Sequence, residues 1–223
     1  MPPIRRIARP AADYTPVEDT NEETEEVEEE KSTGVRTGWA GRRVAAAQGG
    51  KFPDKVKLGE DPQLFKFMDD EPYAAYRQHW IEGLTSTGKK SFTCLGDNCP
   101  LCDIGDSPAL QVCFNVINLS TGGKPKTEVL YCGVKASGQL ESLSASGATG
   151  PLTKLYWAIS TSGKGTKTAY NFQSVKERDV HEDYGVAPLT EEELAAFEDE
   201  KFDENSVPRS SKSQLQDIAE EIG

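Results

Sequence analysis

From residue 51 to about residue 188 the chain runs in short apolar stretches broken by Gly, Pro, Asn and Asp, the texture of a small β-rich domain. Strands are expected at 64–68, 76–81, 91–94, 110–119, 127–134, 155–160 and 168–178. The last two flank Thr161-Ser162-Gly163-Lys164-Gly165-Thr166, a glycine-rich loop suited to a hairpin. A short helix is expected at 138–143, and Cys113 and Cys132, inside apolar strands, read as core residues. The content is mixed but mainly β.

Outside that span the hydrophobic pattern fades. Nine of the thirteen residues from 18 to 30 are acidic, which leaves nothing to build a core, so residues 1–50 are expected to be disordered. The sign then flips: Lys31, Arg36, Arg42, Arg43 and Lys51 surround Trp39, with no acid before Asp54. Such an arm suits contact with nucleic acid or a neighbouring subunit; a solvated linker whose Trp39 packs on the domain is the competing reading. Beyond Leu189 eleven acids stand against Lys201, Arg209 and Lys212, and residues 189–223 read as a disordered acidic tail. Within it Thr190-Glu191-Glu192-Glu193 has the form of a helix start. Leu215, Ile218 and Ile222 have helical spacing, either a docking face for a partner or a solvated, frayed helix.

Composition agrees with one folded domain between polar ends: 223 residues, 36% hydrophobic, with a net charge of −12. No apolar stretch approaches the roughly 20 residues of a membrane span, and none follows Arg5 and Arg6 as a signal peptide would require, so a cytoplasmic protein is expected.

Three of the five cysteines crowd into nine residues, which suits metal ligation better than a disulfide framework. Cys99-Pro100-Leu101-Cys102 is a knuckle: two thiolates separated by two residues reach one tetrahedral ion across a tight turn. Cys94 at a strand end and His79 on the preceding strand complete four ligands. A closed His-and-three-Cys set is structural, so one Zn2+ is expected to brace a lobe at about residues 72–108. A redox Cys-x-x-Cys pair would instead begin a helix after a βαβ pattern, which is missing; a merely satisfied His79 beside Trp80 is the other alternative.

Gly83-Leu84-Thr85-Ser86-Thr87-Gly88-Lys89-Lys90 nearly spells a phosphate-binding loop, but Lys90 stands where Ser or Thr must hold magnesium, and a strand follows instead of a helix. It is expected to be the turn between the strands carrying His79 and Cys94. No catalytic cluster stands out, and the protein is expected not to be an enzyme. The domain does carry the aromatic and basic residues with which proteins grip single strands. Arg77, Trp80, Lys89, Lys90 and Phe92 surround the metal hairpin. Tyr131, Lys154, Tyr156, Trp157, Lys164, Lys167, Tyr170 and Phe172 lie on or beside the later strands. Strand alternation sends part of this set into the core, Tyr156 and Trp157 to opposite faces. Residues 51–190 hold 15 basic and 16 acidic side chains, so binding requires a local basic groove.

In order and content these residues resemble the phage single-stranded DNA-binding proteins, typified by the helix-destabilising protein of the T-even phages and including similar proteins from phages of actinobacteria. Leu64-Phe65-Lys66-Phe67-Met68 leads to Glu71-Pro72-Tyr73, His79, Cys94 and Cys99-Pro100-Leu101-Cys102-Asp103. Phe114-Asn115-Val116-Ile117-Asn118-Leu119 and Val129-Leu130-Tyr131-Cys132-Gly133-Val134 follow. The resemblance covers about residues 51–180. It implies an oligonucleotide-binding (OB) barrel with a zinc lobe at its side, and a cleft for single-stranded DNA between them. The implied role is coating DNA in replication, recombination and repair, in the host cytoplasm. It further implies recruitment of replication and recombination proteins by the acidic tail, and self-association along DNA. The family's basic N-terminal motif for cooperative binding has no counterpart here. A zinc-containing transcription or assembly adaptor and a zinc-dependent nuclease are the rival readings.

Overall fold

The computed structural model describes residues 54–163 and 165–223. The expected acidic segment and basic arm of residues 1–50 lie outside the described residues, as does Lys164. Among the described residues are seven strands and five α-helices. They run β1 (Gln63–Phe67), β2 (Ala74–Trp80), β3 (Ser91–Thr93), α1 (Pro100–Asp103), β4 (Ala109–Asn118) and β5 (Lys126–Cys132). Then come α2 (Val134–Ala145), β6 (Tyr156–Ser162), β7 (Ala169–Val175), α3 (Glu177–Tyr184), α4 (Glu191–Glu198) and α5 (Lys212–Ile222). All strand pairings between these elements are antiparallel, in an open sheet ordered β3-β2-β4-β1-β6-β7 with β5 also on β4. The OB barrel expected from the resemblance is thus not seen as a closed barrel.

Strand period explains the core. On one face Phe65 and Phe67 of β1, Val112, Phe114 and Val116 of β4, and Trp157 and Ile159 of β6 form a single cluster. Phe67 packs edge-on against both Phe114 and Trp157, with ring centroids 5.6 and 6.1 Å apart. Trp157 Nε1 donates to the Leu152 carbonyl at 2.9 Å, so its one polar atom is satisfied inside the core. Helix α2 lays Ala136 and Leu140 on this face and touches β4, β5 and β7. It is longer than the expected 138–143, because Ala136 and Ser137, ahead of that span, gain burial that local propensity does not register. Tyr170 Oη of β7 lies 3.4 Å from the Tyr131 carbonyl of β5, so these two edge strands of the curled sheet approach each other.

The alternate residues are apolar as well. Leu64, Ile117, Tyr156 and Ala158 form a second cluster with Val175, Val180 and Leu189, while Ala74, Tyr76, Cys113 and Val129 form a third with Val207. Here the expectation of a disordered acidic tail is overturned. Residues 189–223 are folded: apolar side chains from Leu189 to Val207 cover the second face, and Leu215, Ile218 and Ala219 pack on the cysteine-bearing lobe. Tyr156 Oη accepts from the Leu189 N–H at 2.9 Å, and Asn115 bonds the Phe202 backbone through both ends of its amide. Lys201 Nζ pairs with Asp69 at 2.8 Å. The acids of the segment sit on outward positions, so its high charge did not forbid docking. The capping box read from Thr190 and Glu193 is present, with Glu193 N–H to Thr190 Oγ1 at 3.2 Å and Thr190 N–H to Glu193 Oε2 at 2.8 Å. Strand β7 stops at Val175, short of the expected residue 178, because α3 begins at Glu177 to place Val180 in that second cluster.

A solvated tail could be removed without cost; a docked one could not. Truncation after residue 188 is expected to lower stability by about 3 kcal/mol or more, since Leu189, Leu194, Phe197 and Val207 would leave apolar surface bare. The urea unfolding midpoint measures it, and an unchanged midpoint would contradict the docking.

Candidate metal centre and basic groove

The lobe holding the cysteines hangs from the end of β2. Alternation along β2 puts Ala75 into the first core cluster, leaves Arg77 exposed, and buries His79, all on one side of the strand. β3 pairs with this end, His79 opposite Phe92, and Phe92 is wholly buried in the lobe's own cluster with Ile81, Cys94, Cys99 and Leu101. Beyond Cys94 the chain reverses through Gly96 and Asn98, both at positive φ (75° and 56°), a geometry glycine adopts freely and asparagine tolerates. That turn points the Gly96 N–H at Cys94 Sγ, 3.4 Å away. Cys99 then caps α1, with Pro100 in the first helical turn where a missing N–H costs nothing.

His79, Cys94, Cys99 and Cys102 come together as the sequence implied, their ligand atoms all within 4.8 Å of one another. Cys94 Sγ lies 3.6 Å from Cys102 Sγ, and His79 Nε2 lies 3.5 Å from Cys99 Sγ and 3.7 Å from Cys102 Sγ. Around a tetrahedral ion with Zn–S bonds of about 2.3 Å, ligand atoms sit about 3.7 Å apart, so the donor set fits a single zinc ion in both type and spacing. Burial raises the Cys94 thiol and pushes Cys102 up to about 12. Burial opposes ionisation of Cys99 too, but backbone N–H groups of Leu95, Cys102 and Leu101 outweigh it and hold that thiol below its ordinary value.

A fifth residue completes the arrangement. Asp106 Oδ2 meets His79 Nδ1 at 2.5 Å, which turns Nε2 toward the thiols. The knuckle itself aims this carboxylate, through the Asp106 N–H on the Leu101 carbonyl at 3.0 Å and the Gly105 N–H on Cys102 at 2.9 Å. Asp106 stands outside the His-and-three-Cys pattern, and its only mark in the sequence is an acid a few residues beyond the knuckle.

The expected nucleic-acid residues divide sharply. Phe92, Tyr156 and Trp157 are withdrawn from that role: each is at most 2% exposed and packs in a core cluster, because both faces of the sheet and the lobe interior are filled. Tyr131 turns to the third cluster, away from Tyr170, and carries Lys55 Nζ 4.5 Å over its ring. Lys89 lies half-buried over the Phe92 ring, and Lys90 stands exposed with Glu82 3.8 Å away. Residues 83–90 join β2 to β3 as expected. Trp80 is 61% exposed but points to the side of β2 opposite Arg77. Lys154 is exposed, 3.4 Å from the Gly147 carbonyl.

Lys167, Tyr170 and Phe172 do converge. With Asn171 they form one wall of a groove of about 740 Å³, whose other wall is Lys135 and Gln139 of α2. The half-buried Tyr170 and Phe172 rings stack at 5.9 Å with 12° between planes. Lys135 and Gln139 were not read from sequence as site residues, because only the docking of α2 beside β7 brings them there.

Comparisons with family models, curated proteins and solved structures return no match. Among the described residues no helix is long and apolar enough to cross a membrane.

Asp106→Asn is expected to lower zinc affinity about 10–100-fold while leaving one ion per chain at saturation, as for other carboxylates behind a ligand histidine. Competition against a chromogenic chelator reads the change; unaltered affinity would remove Asp106 from the site.

Proposed function

We propose that the protein binds single-stranded DNA without fixed sequence, coating and protecting it during phage DNA replication, recombination and repair in the host cytoplasm. The observation that carries this reading is the α2–β7 groove, where stacked aromatic rings share the lining with Lys135 and Lys167. Bases stack on aromatic faces for about 1–3 kcal/mol each, and lysines meet the phosphates. Arg77 adds a cation on β2 between the core cluster and the metal lobe. The curled sheet is taken as an OB-like barrel whose seam is the Tyr170–Tyr131 contact, in keeping with the order of elements that resembles the phage family.

In this reading the metal is one structural Zn2+, held by four protein ligands with no position left for water, and the protein is not an enzyme. The acids on the outer faces of α4 and α5, Glu191, Glu192 and Glu220 among them, are the surface offered to replication and recombination proteins.

The test is fluorescence anisotropy of labelled oligo-dT at several salt concentrations. If three or four phosphates are neutralised, log K is expected to fall against log salt with a slope of about −2 to −3. Lys135→Glu with Lys167→Glu is expected to weaken binding roughly tenfold or more, the circular dichroism spectrum unchanged. Absence of salt-dependent binding at about 50 mM salt would refute the proposal. Cleavage of the oligonucleotide during metal incubation would favour the nuclease reading instead.

A further inference from the structure

The C-terminal helix α5 takes no part in the two clusters on the sheet's second face and packs on the cysteine-bearing lobe. Its inward side chains Leu215, Ile218 and Ala219 share one buried cluster with Ile81, Phe92, Cys94, Cys99 and Leu101. Two of those partners are metal-ligand residues, and α5 packs directly on α1, the helix of the knuckle. At the far end of α5, Glu221 reaches the β2–β3 connection. Its carboxylate accepts from the Thr85 N–H at 2.5 Å, Thr85 Oγ1 at 2.8 Å and the Ser86 N–H at 3.3 Å, and also from Ser86 Oγ. These donors hold the carboxyl down to about 2. The helix is pinned to the lobe at both places: by apolar contact with residues the metal would organise, and by hydrogen bonds to the loop between the lobe's two strands.

From this geometry we infer that α5 and the metal lobe form one cooperative unit, so that the metal decides whether residues 212–223 are docked. The inference rests on the metal reading. The lobe's cluster is small, and three members of its buried wall for α5, Cys94, Cys99 and Leu101, are ligand residues or lie between them in the chain. Metal affinity in such lobes is folding free energy, so losing the ion removes the surface on which Leu215 and Ile218 rest. Helix α5 has eleven residues, too short to persist alone in water. The sheet's second face is covered by a different stretch, from Val180 to Val207, and does not require α5. Release is therefore local. It frees the Thr85 and Ser86 donors from Glu221 and bares the apolar side of the lobe.

Hydrogen exchange on the full chain, with zinc content measured in parallel, tests the inference. Chelation is expected to raise amide exchange at least tenfold in 94–103 and in 212–222 together, with β1 and β6 still protected, and added Zn2+ is expected to restore both. Deprotection of 94–103 with 212–222 unchanged overturns the coupling while leaving the metal site intact. A chain that takes up no zinc under competition overturns the metal reading, and the inference with it.

Linkage is reciprocal, so Glu221→Gln, an exposed change that leaves the apolar packing alone, is expected to speed exchange in 212–222 and to weaken zinc affinity at least threefold or so. Unchanged affinity in that variant counts against the inference.

Discussion

Strand β4 is the constraint on which the other elements depend. Along ten residues it hydrogen-bonds to β2 and then β1 on one edge and to β5 on the other, and its residues 112–118 are buried on both faces. A strand buried on one face leaves the other to water; a strand apolar on both needs two covers. Helix α2 and the curl of the sheet supply one. The C-terminal stretch supplies the other, with Asn115 fastening it to the strand by two hydrogen bonds. The acidic segment folds because β4 and β6 present Ile117, Tyr156 and Ala158 to it.

The same strand positions both candidate sites. Pairing with β4 sets the rotation of β2, which sends Arg77 outward and His79 into the lobe two residues later. The knuckle, the positive-φ turn before it and Asp106 behind His79 then complete a donor set whose thiols and imidazole lie within 4.8 Å of one another. Elsewhere on the first core cluster, α2 follows β5 after a single glycine and lies against β7, bringing Lys135 and Gln139 to Tyr170 and Phe172. Metal lobe and groove are separate in sequence and share one scaffold.

Charge on this protein is a matter of placement more than of total. Residues 51–190 are nearly neutral, with 15 bases and 16 acids, yet the groove lining includes Lys135 and Lys167 and no acidic residue. Acids of the C-terminal stretch line its outer side while the apolar residues between them dock. The potential that a polyanion meets therefore depends on which wall it approaches.

The ligand set was legible because metal chemistry restricts it to few residue types at fixed spacing, and strands with strong alternation were legible within a residue or two. The capping box at Thr190 was legible for the same reason: the hydrogen bonds that make it are local. Tyr156 and Trp157 show where local information ends. Alternation sent them to opposite faces, but only the packing of α2 on one side and Leu189 on the other made both faces interior. Phe92, Asp106, Lys135 and Glu221 likewise took their roles from contacts between segments distant along the chain. The sequence by itself determined the local geometry and the donor chemistry, since both follow from neighbouring residues; which surfaces stay open to a ligand was decided by tertiary packing, because burial depends on what the rest of the chain places on top.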